Sequence, residues 1–170
     1  LAGGESRRMG RDKAWIELEG QTLLALAVEK VRQIGVTNIF ISGHPDRDYS
    51  ALKHPVIFDL KPGFGPLGGI ERALDECRSL LLLVLAVDLP QMTSEFLQRL
   101  LANCDPSTGV VPKLNGRLEP LAAIYSKRCH ALASDFVARS RWVVCEFAEA
   151  CLAEGAVRTL DITPEHADCF

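Results

Sequence analysis

The first thirteen residues carry the densest set of groups that could bind an anion. Residues 1–13 read L-A-G-G-E-S-R-R-M-G-R-D-K. Glycine lets backbone N–H groups approach a ligand closely, because any Cβ would block that approach. Ser6 can cap a following helix, whose N-terminal dipole favours negative charge, and Arg7, Arg8 and Lys13 add cations. We predict a phosphate-binding turn here; the alternative is a solvated N-terminal segment.

A second candidate lies where an apolar run ends. Residues 80–87 are all apolar, which predicts a central parallel strand covered by helices on both faces. Asp88 follows directly, ahead of Pro90. A carboxylate fixed at the end of a buried strand, beside phosphates that supply further oxygens, suits a hard cation. We therefore predict Asp88 as a magnesium ligand; the alternative is that it caps the turn before Pro90.

A third candidate is the glycine- and proline-rich stretch K-P-G-F-G-P-L-G-G at residues 61–69. It follows a predicted strand at 56–58 and Asp59, and it precedes a helix predicted at 70–77. We predict a stiff loop at a strand's carboxyl end, where open α/β sheets bind ligands. The alternative is an ordinary surface connection.

The elements around these candidates alternate between strand-like and helix-like segments, which predicts an α/β fold. Asn115-Gly116 predicts a β-hairpin, and the length of 170 residues predicts a single domain, 1–170. The other strands are predicted at 36–42, 80–87, 109–112, 121–125 and 157–162. The other helices are predicted at 23–34, at 128–140, at 142–153 and from Thr93 or Ser94 to about Asn103.

Composition narrows the class of protein. A net charge of −3 and a hydrophobic content of 48% predict a globular protein with no general attraction to nucleic acid or to an anionic membrane. The longest apolar run is far shorter than the roughly 20 residues of a membrane span. No secretory signal is evident, and the six cysteines show no C-x-x-C spacing. We therefore expect reduced thiols and a cytoplasmic protein.

The opening residues fill every position of the pattern L-A-G-G-x-S-x-R-M-G-x-D-K. The chain thereby resembles nucleotidyltransferases with a Rossmann-like core and, among them, the molybdenum cofactor guanylyltransferase family. G-P-L-G-G at residues 65–69 resembles that family's guanine-holding loop, and Asp88-Leu89-Pro90 resembles its metal-binding D-x-P motif. The resemblance implies a three-layer α/β/α fold of the GT-A type with a mostly parallel central sheet, whose first strand we expect to be truncated at the N-terminus.

The resemblance also implies an activity and a set of functional residues. The expected reaction transfers GMP from GTP to molybdenum-bound molybdopterin, with Mg²⁺ on Asp88, and releases pyrophosphate. The predicted catalytic residues are Lys13, Asp88 and Arg8. The predicted nucleotide-binding residues are Leu1, Ala2, Gly3, Gly4, Ser6, Lys13, Asp59, Gly65, Gly69 and Asp88. The expected partners are GTP, molybdopterin, and molybdenum cofactor synthesis or molybdoenzyme chaperone proteins, with no nucleic acid and no membrane.

The chain departs from the family pattern at two places where asparagine is expected. Gly43 or His44 stands near one, and Ile162 stands at the other, directly before Thr163. These departures leave two alternatives open. One is a related enzyme that uses CTP or another phosphate acceptor, such as a sugar phosphate or phospholactate. The other is an accessory protein that binds nucleotide and has lost turnover.

Overall fold

The computed structural model describes residues 1–3, 12–59 and 65–170. Its helices are α1 (Leu23–Gln33), α2 (Gly65–Glu76), α3 (Ser94–Ala102), α4 (Cys129–Ala138) and α5 (Val144–Ala153). Its strands are β1 (Glu17–Leu18), β2 (Gln21–Thr22), β3 (Ile41–Ser42), β4 (Val56–Ile57), β5 (Leu81–Leu85), β6 (Gly109–Leu114), β7 (Arg117–Leu118), β8 (Ala122–Ser126) and β9 (Val157–Asp161). Short 3₁₀ turns lie at Lys13–Trp15, Ser50–Leu52 and Pro164–Cys169.

The strand pairing is mixed. β3 pairs in parallel with β4, and β6 pairs in parallel with β9. β8 lies between β5 and β6 and runs antiparallel to both. The prediction of a mostly parallel central sheet is therefore not confirmed, because the apolar β5 has an antiparallel neighbour in β8.

The backbone of the first residues joins the two groups of strands. Ala2 N donates a hydrogen bond to Ser42 O at the end of β3 (2.7 Å). On the other side Leu1 N donates to Leu85 O (2.7 Å), and Val87 N donates to Leu1 O (3.3 Å). Bonds from one residue to two residues spaced this way are those of parallel neighbours. The start of the chain therefore lies between the ends of β3 and β5.

Apolar side chains pack on both faces of the sheet. Consecutive strand residues point to opposite faces, so Val111 and Tyr125 pack toward α2, α4 and α5, whereas Val110 and Ile124 pack toward α3. A third cluster joins α1 to β3 and to the start of the chain through residues such as Ala2 and Leu24. This gives the α/β arrangement with helices on either side of a sheet.

All six cysteines are free thiols, as predicted.

Local capping signals predicted several helix and turn positions correctly. Thr22 caps α1 by accepting from Ala25 N (3.2 Å), and Thr93 caps α3 by accepting from Phe96 N (3.1 Å). Gly35 after α1 has a φ of +84°, as expected for a glycine that ends a helix. The hairpin predicted at Asn115-Gly116 joins β6 to β7.

Two predicted elements differ from the structure. Only Ile41–Ser42 of the predicted strand 36–42 forms a ladder, because residues 36–40 make no strand pairing within the described ranges. A cavity of about 360 Å³ lies there, lined mainly by residues 35–42, by β5 and by the apolar face of α1. Residues 65–69 belong to α2 and not to the predicted loop, since Pro66 fits a helix's first turn, where its missing N–H is not needed.

Among residues 1–3, 12–59 and 65–170, no helix combines the length and the apolar character that crossing a membrane requires.

Candidate active site

A short turn presents Lys13. Asp12 caps the 3₁₀ turn Lys13–Trp15 by accepting a hydrogen bond from Ala14 N (3.0 Å). The Asp12 side chain is only 10% exposed, and one of its oxygens lies 3.6 Å from Arg47 Nε. Ala14 is fully buried in the adjoining core. The Asp12 cap and the buried Ala14 thus hold the backbone of the turn in place, while the Lys13 side chain remains partly exposed to solvent.

Lys13 and Asp88 form an ion pair across 75 positions of sequence, with Lys13 Nζ 2.9 Å from Asp88 Oδ2. Their side chains are 44% and 46% exposed. An exposed pair of this kind stabilises a fold by roughly 1 kcal/mol or less. An anionic ligand that attracts Lys13, or a cation that attracts Asp88, can therefore separate the pair at little cost.

Gly3 lies at the same edge of the structure as the Lys13–Asp88 pair, and it is next to Gly43, the residue that follows β3. A Cβ on Gly3 would stand 3.2 Å from Gly43 O, a contact tighter than most that real Cβ atoms make. Glycine at this position lets the first residues pass close to the β3 end. Asp88 lies three residues beyond Leu85, whose carbonyl accepts from Leu1 N. The structure thus brings Leu1, Ala2 and Gly3 beside the Lys13–Asp88 pair.

Asp59 occupies an unfavourable electrostatic position two residues after β4. Burial raises the pKa of its carboxyl from 3.8 to about 6, with a further contribution in the same direction from the negative charge of Glu71, while His44 opposes these effects. Glu71 is itself held by Ser134 Oγ, which donates to its Oε1 (3.0 Å). A partly buried carboxylate whose surroundings disfavour its charged form is typical of a binding site.

The two glycines predicted from the G-P-L-G-G stretch have different surroundings. Gly65 is exposed at the start of α2 with a φ of +55°. Gly69 is buried, and a Cβ there would overlap Ser42 Oγ and come within 3.1 Å of Leu1 Cδ2. The absence of a side chain at Gly69 therefore lets α2 pack directly against β3 and the start of the chain.

Several predicted site residues lie outside the described residues, namely Gly4, Ser6 and Arg8, as do residues 61–64 of the glycine- and proline-rich stretch.

Sequence reasoning missed Tyr49 as a support for this edge. The Tyr49 hydroxyl oxygen accepts a hydrogen bond from His44 N (2.9 Å), and its ring fills the space that a side chain at Gly43 would need. Trp15 packs on it with ring centroids 5.8 Å apart. No spacing or motif singles out Tyr49, because its partners come from separate elements.

The donor chemistry at this edge fits Mg²⁺. Within the described ranges no cluster of three or more His, Cys, Asp or Glu residues could hold a metal ion. Mg²⁺ is usually bound by one or two carboxylates together with substrate phosphates and water, an arrangement with which a single exposed carboxylate is compatible. Asp88 provides such a carboxylate beside a lysine that could accompany the phosphates.

The amino-acid sequence is similar to a known protein family and to several named proteins. The family model described as "MobA-like NTP transferase domain" matches residues 1–151. A protein of Opitutus terrae named "probable molybdenum cofactor guanylyltransferase" is 33% identical over 168 residues, which are 97% of this chain and 83% of that protein. A protein of Mycobacterium tuberculosis with the same name is 40% identical over 131 residues, or 74% of this chain. The chain spans only 62% of a Pelotomaculum thermopropionicum relative and 65% of the Mycobacterium tuberculosis one.

Solved structures share the fold at low identity. Molybdopterin-guanine dinucleotide biosynthesis protein A from Archaeoglobus fulgidus superimposes with a TM-score of 0.76 at 22% identity, covering 99% of this chain and 87% of that one. The 2-C-methyl-D-erythritol 4-phosphate cytidylyltransferase from Thermus thermophilus superimposes with a TM-score of 0.73 at 16% identity, covering 93% and 86%. Both show the α/β fold of nucleotidyltransferases.

Proposed function

Because this chain belongs to the family of MobA-like NTP transferase domains, we propose that it transfers GMP from GTP to molybdenum-bound molybdopterin and releases pyrophosphate. The names of the relatives that match most of the chain support this choice of nucleotide and acceptor. The products would be molybdopterin guanine dinucleotide and pyrophosphate.

The observation that carries the proposal is the meeting of Lys13 with Asp88 beside the backbone of residues 1–3. The two side chains are 2.9 Å apart although 75 positions separate them in sequence. Opposite charges that are exposed and cheaply separated can bind a magnesium–triphosphate complex, with Lys13 on a phosphate and Asp88 on the metal ion. Together the two groups supply a cation for the phosphates and an anion for the metal ion, which neither supplies alone.

The chemistry requires positioning and charge stabilisation more than side-chain reactivity. An oxygen of the molybdopterin phosphate attacks the α-phosphorus of GTP, and the bond from that phosphorus to the β-phosphate's bridging oxygen breaks. Lys13 would hold the triphosphate and stabilise the negative charge that develops on it. Mg²⁺, when bound at Asp88, would withdraw charge from the phosphate oxygens. The attacking phosphate is already an anion near neutral pH, so no general base is needed.

Nucleotide selection falls to the groups on the β3 and β4 side of the edge. Asp59 is a partly buried carboxylate, and Gly65 and Gly69 lie in the first turns of α2. We assign Asp59 and Gly65 to nucleotide binding, whereas the buried Gly69 would act indirectly, by letting α2 pack closely against β3. Arg8, Gly4 and Ser6 remain predicted contributors to the phosphate site, and chaperone partners and a cytoplasmic location remain predictions.

Pyrophosphate release by the purified protein tests the proposal. We expect release with GTP, Mg²⁺ and molybdenum-bound molybdopterin, and little release when CTP replaces GTP. Lys13→Ala and Asp88→Ala should each abolish most of the activity. Lys53→Gln and Asp135→Ala, which change an exposed lysine and a partly exposed aspartate elsewhere, serve as matched controls.

Three results would contradict parts of this proposal. Wild-type rates in Lys13→Ala or Asp88→Ala would show that the roles are wrongly assigned. A preference for CTP in calorimetric titration would overturn the guanine assignment. Tight GTP binding without pyrophosphate release, acceptor being present, would favour a nucleotide-binding accessory protein.

A further inference from the structure

Lys30 joins α1 to the segment that follows β5. Its Nζ donates a hydrogen bond to Pro90 O (2.6 Å), 60 positions further along the chain. The side chain is partly buried, and this burial lowers the pKa of Lys30. A hydrogen bond from an ammonium group to a partly buried carbonyl is stronger than one between neutral groups. This contact therefore fixes the position of Pro90 relative to α1.

Pro90 lies two residues from Asp88, so this contact acts close to the candidate metal ligand. The segment also closes on itself, since Met92 N donates to Leu89 O (3.1 Å) and Met92 is buried. Asp88 is thus attached at one end to β5 and at the other to a short turn that Lys30 holds. Loss of the Lys30 contact would leave the second attachment without its tie to α1.

The same helix is tied to the turn that presents Lys13. Leu23, the first residue of α1, donates its backbone N–H to Ile16 O (2.9 Å), directly after the turn Lys13–Trp15. α1 therefore contacts the Lys13 turn at its beginning and the Asp88 segment near its end. A helix is a rigid connector, so its two contacts help to set the distance between the backbone of the Lys13 turn and the backbone of the Asp88 segment.

We propose that Lys30 is a positioning residue that holds Asp88 in register with Lys13 for binding the metal–nucleotide complex. This inference rests on the proposed function. Lys30 touches neither substrate nor metal; it acts through the Pro90 carbonyl. A purely structural role would instead affect the stability of α1 and leave the placement of Asp88 unchanged.

The test compares Lys30→Met, which keeps the stem and removes the ammonium donor, with Lys30→Arg, which keeps a cationic donor. Gln33→Ala is the matched control, because it removes another contact of α1, the one with Ser94 Oγ (2.6 Å). Binding of Mn²⁺ to the GTP-bound protein is titrated by electron paramagnetic resonance, without any turnover. We expect Lys30→Met to weaken Mn²⁺ binding by about 10-fold, as for other supports of metal ligands. Lys30→Arg should retain most of the affinity, and Gln33→Ala should match the wild type.

Hydrogen exchange separates this inference from the proposed function. Lys30→Met should lose protection of the amide of Met92 and its neighbours in the 88–92 segment, whereas Gln33→Ala should not. That measurement needs neither nucleotide nor metal, so it decides on Lys30 even if the wild type proves unable to bind GTP. Unchanged exchange in this segment, or unchanged Mn²⁺ affinity in a variant of lowered melting temperature, would overturn the positioning role.

Discussion

The candidate site and the far half of the sheet are held together by different kinds of contact. At the site the Lys13–Asp88 pair is nearly half exposed on both sides. In the half formed by β6, β8 and β9, a buried polar contact joins β8 to the start of β9: Ser126 is 0% exposed, and its Oγ donates to Ala156 O (2.9 Å). Exposed contacts can be exchanged for contacts to a ligand, whereas breaking a buried one leaves polar groups unsatisfied and lowers stability. Substitutions should therefore separate activity from stability according to region.

The largest expected effect lies in the far half, at Gly109. A Cβ there would overlap Ile124 O, a backbone atom of the neighbouring β8 that cannot rotate away. Gly109→Ala must separate β6 from β8 and should cost more than about 3 kcal/mol of the free energy of unfolding. Urea unfolding followed by circular dichroism measures this loss. Gly116→Ala is the reference, because a Cβ there meets open space and its φ of +83° leaves only backbone strain, which should cost roughly 1–2 kcal/mol. If Gly109→Ala were as stable as the wild type, the packing of β6 on β8 would not be the constraint on stability that this comparison assumes.

Asp88→Asn should show the opposite behaviour at the site. The amide keeps the shape of the side chain but loses the charge that holds Lys13 and would bind Mg²⁺. We expect activity to fall by roughly 100-fold or more, the usual loss on removing one stabilising group from an active site. The free energy of unfolding should change by less than about 1 kcal/mol, because the lost ion pair is exposed. Activity assays on GTP and parallel urea titrations check both halves of this prediction. A large stability loss would show that the pair is structural.

Elements that depend on local chemistry could be predicted from the sequence. Thr22 and Thr93 cap helices through their own side chains, and Asn115-Gly116 forms a turn through its own backbone preferences. The extent of β3 and the direction of β8 could not, because each depends on which chain lies alongside. The glycines of residues 65–69 predict a loop, yet packing of Gly69 against β3 and Pro66 in the first turn favour helix.

The candidate site was predictable only in part. Residues 1–13 and Asp88 stand out in the sequence because of the chemistry of their side chains. The resemblance to the guanylyltransferase family predicts that they belong to one site. Lys30 and Tyr49 were missed, since their partners lie in other elements and no motif records them. Contacts of this kind are set by the tertiary structure, and a single sequence carries no local signal for them.

Lys127 allows a sharper comparison with Lys13, because both lysines join distant segments. Lys127 Nζ donates to three carbonyl oxygens at the end of α2, those of Leu74, Asp75 (3.2 Å) and Cys77 (2.8 Å). Lys127→Met should leave these carbonyls without that donor and cost about 2 kcal/mol of the free energy of unfolding. Activity per folded molecule should stay unchanged. Lys53→Met controls for loss of an exposed lysine, and equal urea midpoints for both variants would contradict the prediction.

The smallest effect is expected at Asp59, whose charge should lower the stability of the fold while it contributes to nucleotide binding. An aspartate carboxyl has an ordinary pKa of 3.8, and the pKa of Asp59 is about 6 in the folded protein, so the folded state binds the proton more tightly. Stability should therefore decrease as pH rises between about 4 and 6 and stay lowered above that range. Asp59→Asn cannot ionise, so it should be more stable than the wild type near neutral pH, by about 1 kcal/mol after allowance for solvent screening. The difference should shrink below about pH 4, where the wild-type carboxyl is also neutral. Urea midpoints measured across this range test the sign, and GTP titration of the same variant should show weaker binding. If Asp59→Asn gained stability and kept its GTP affinity, the charge of Asp59 would have no role in nucleotide binding.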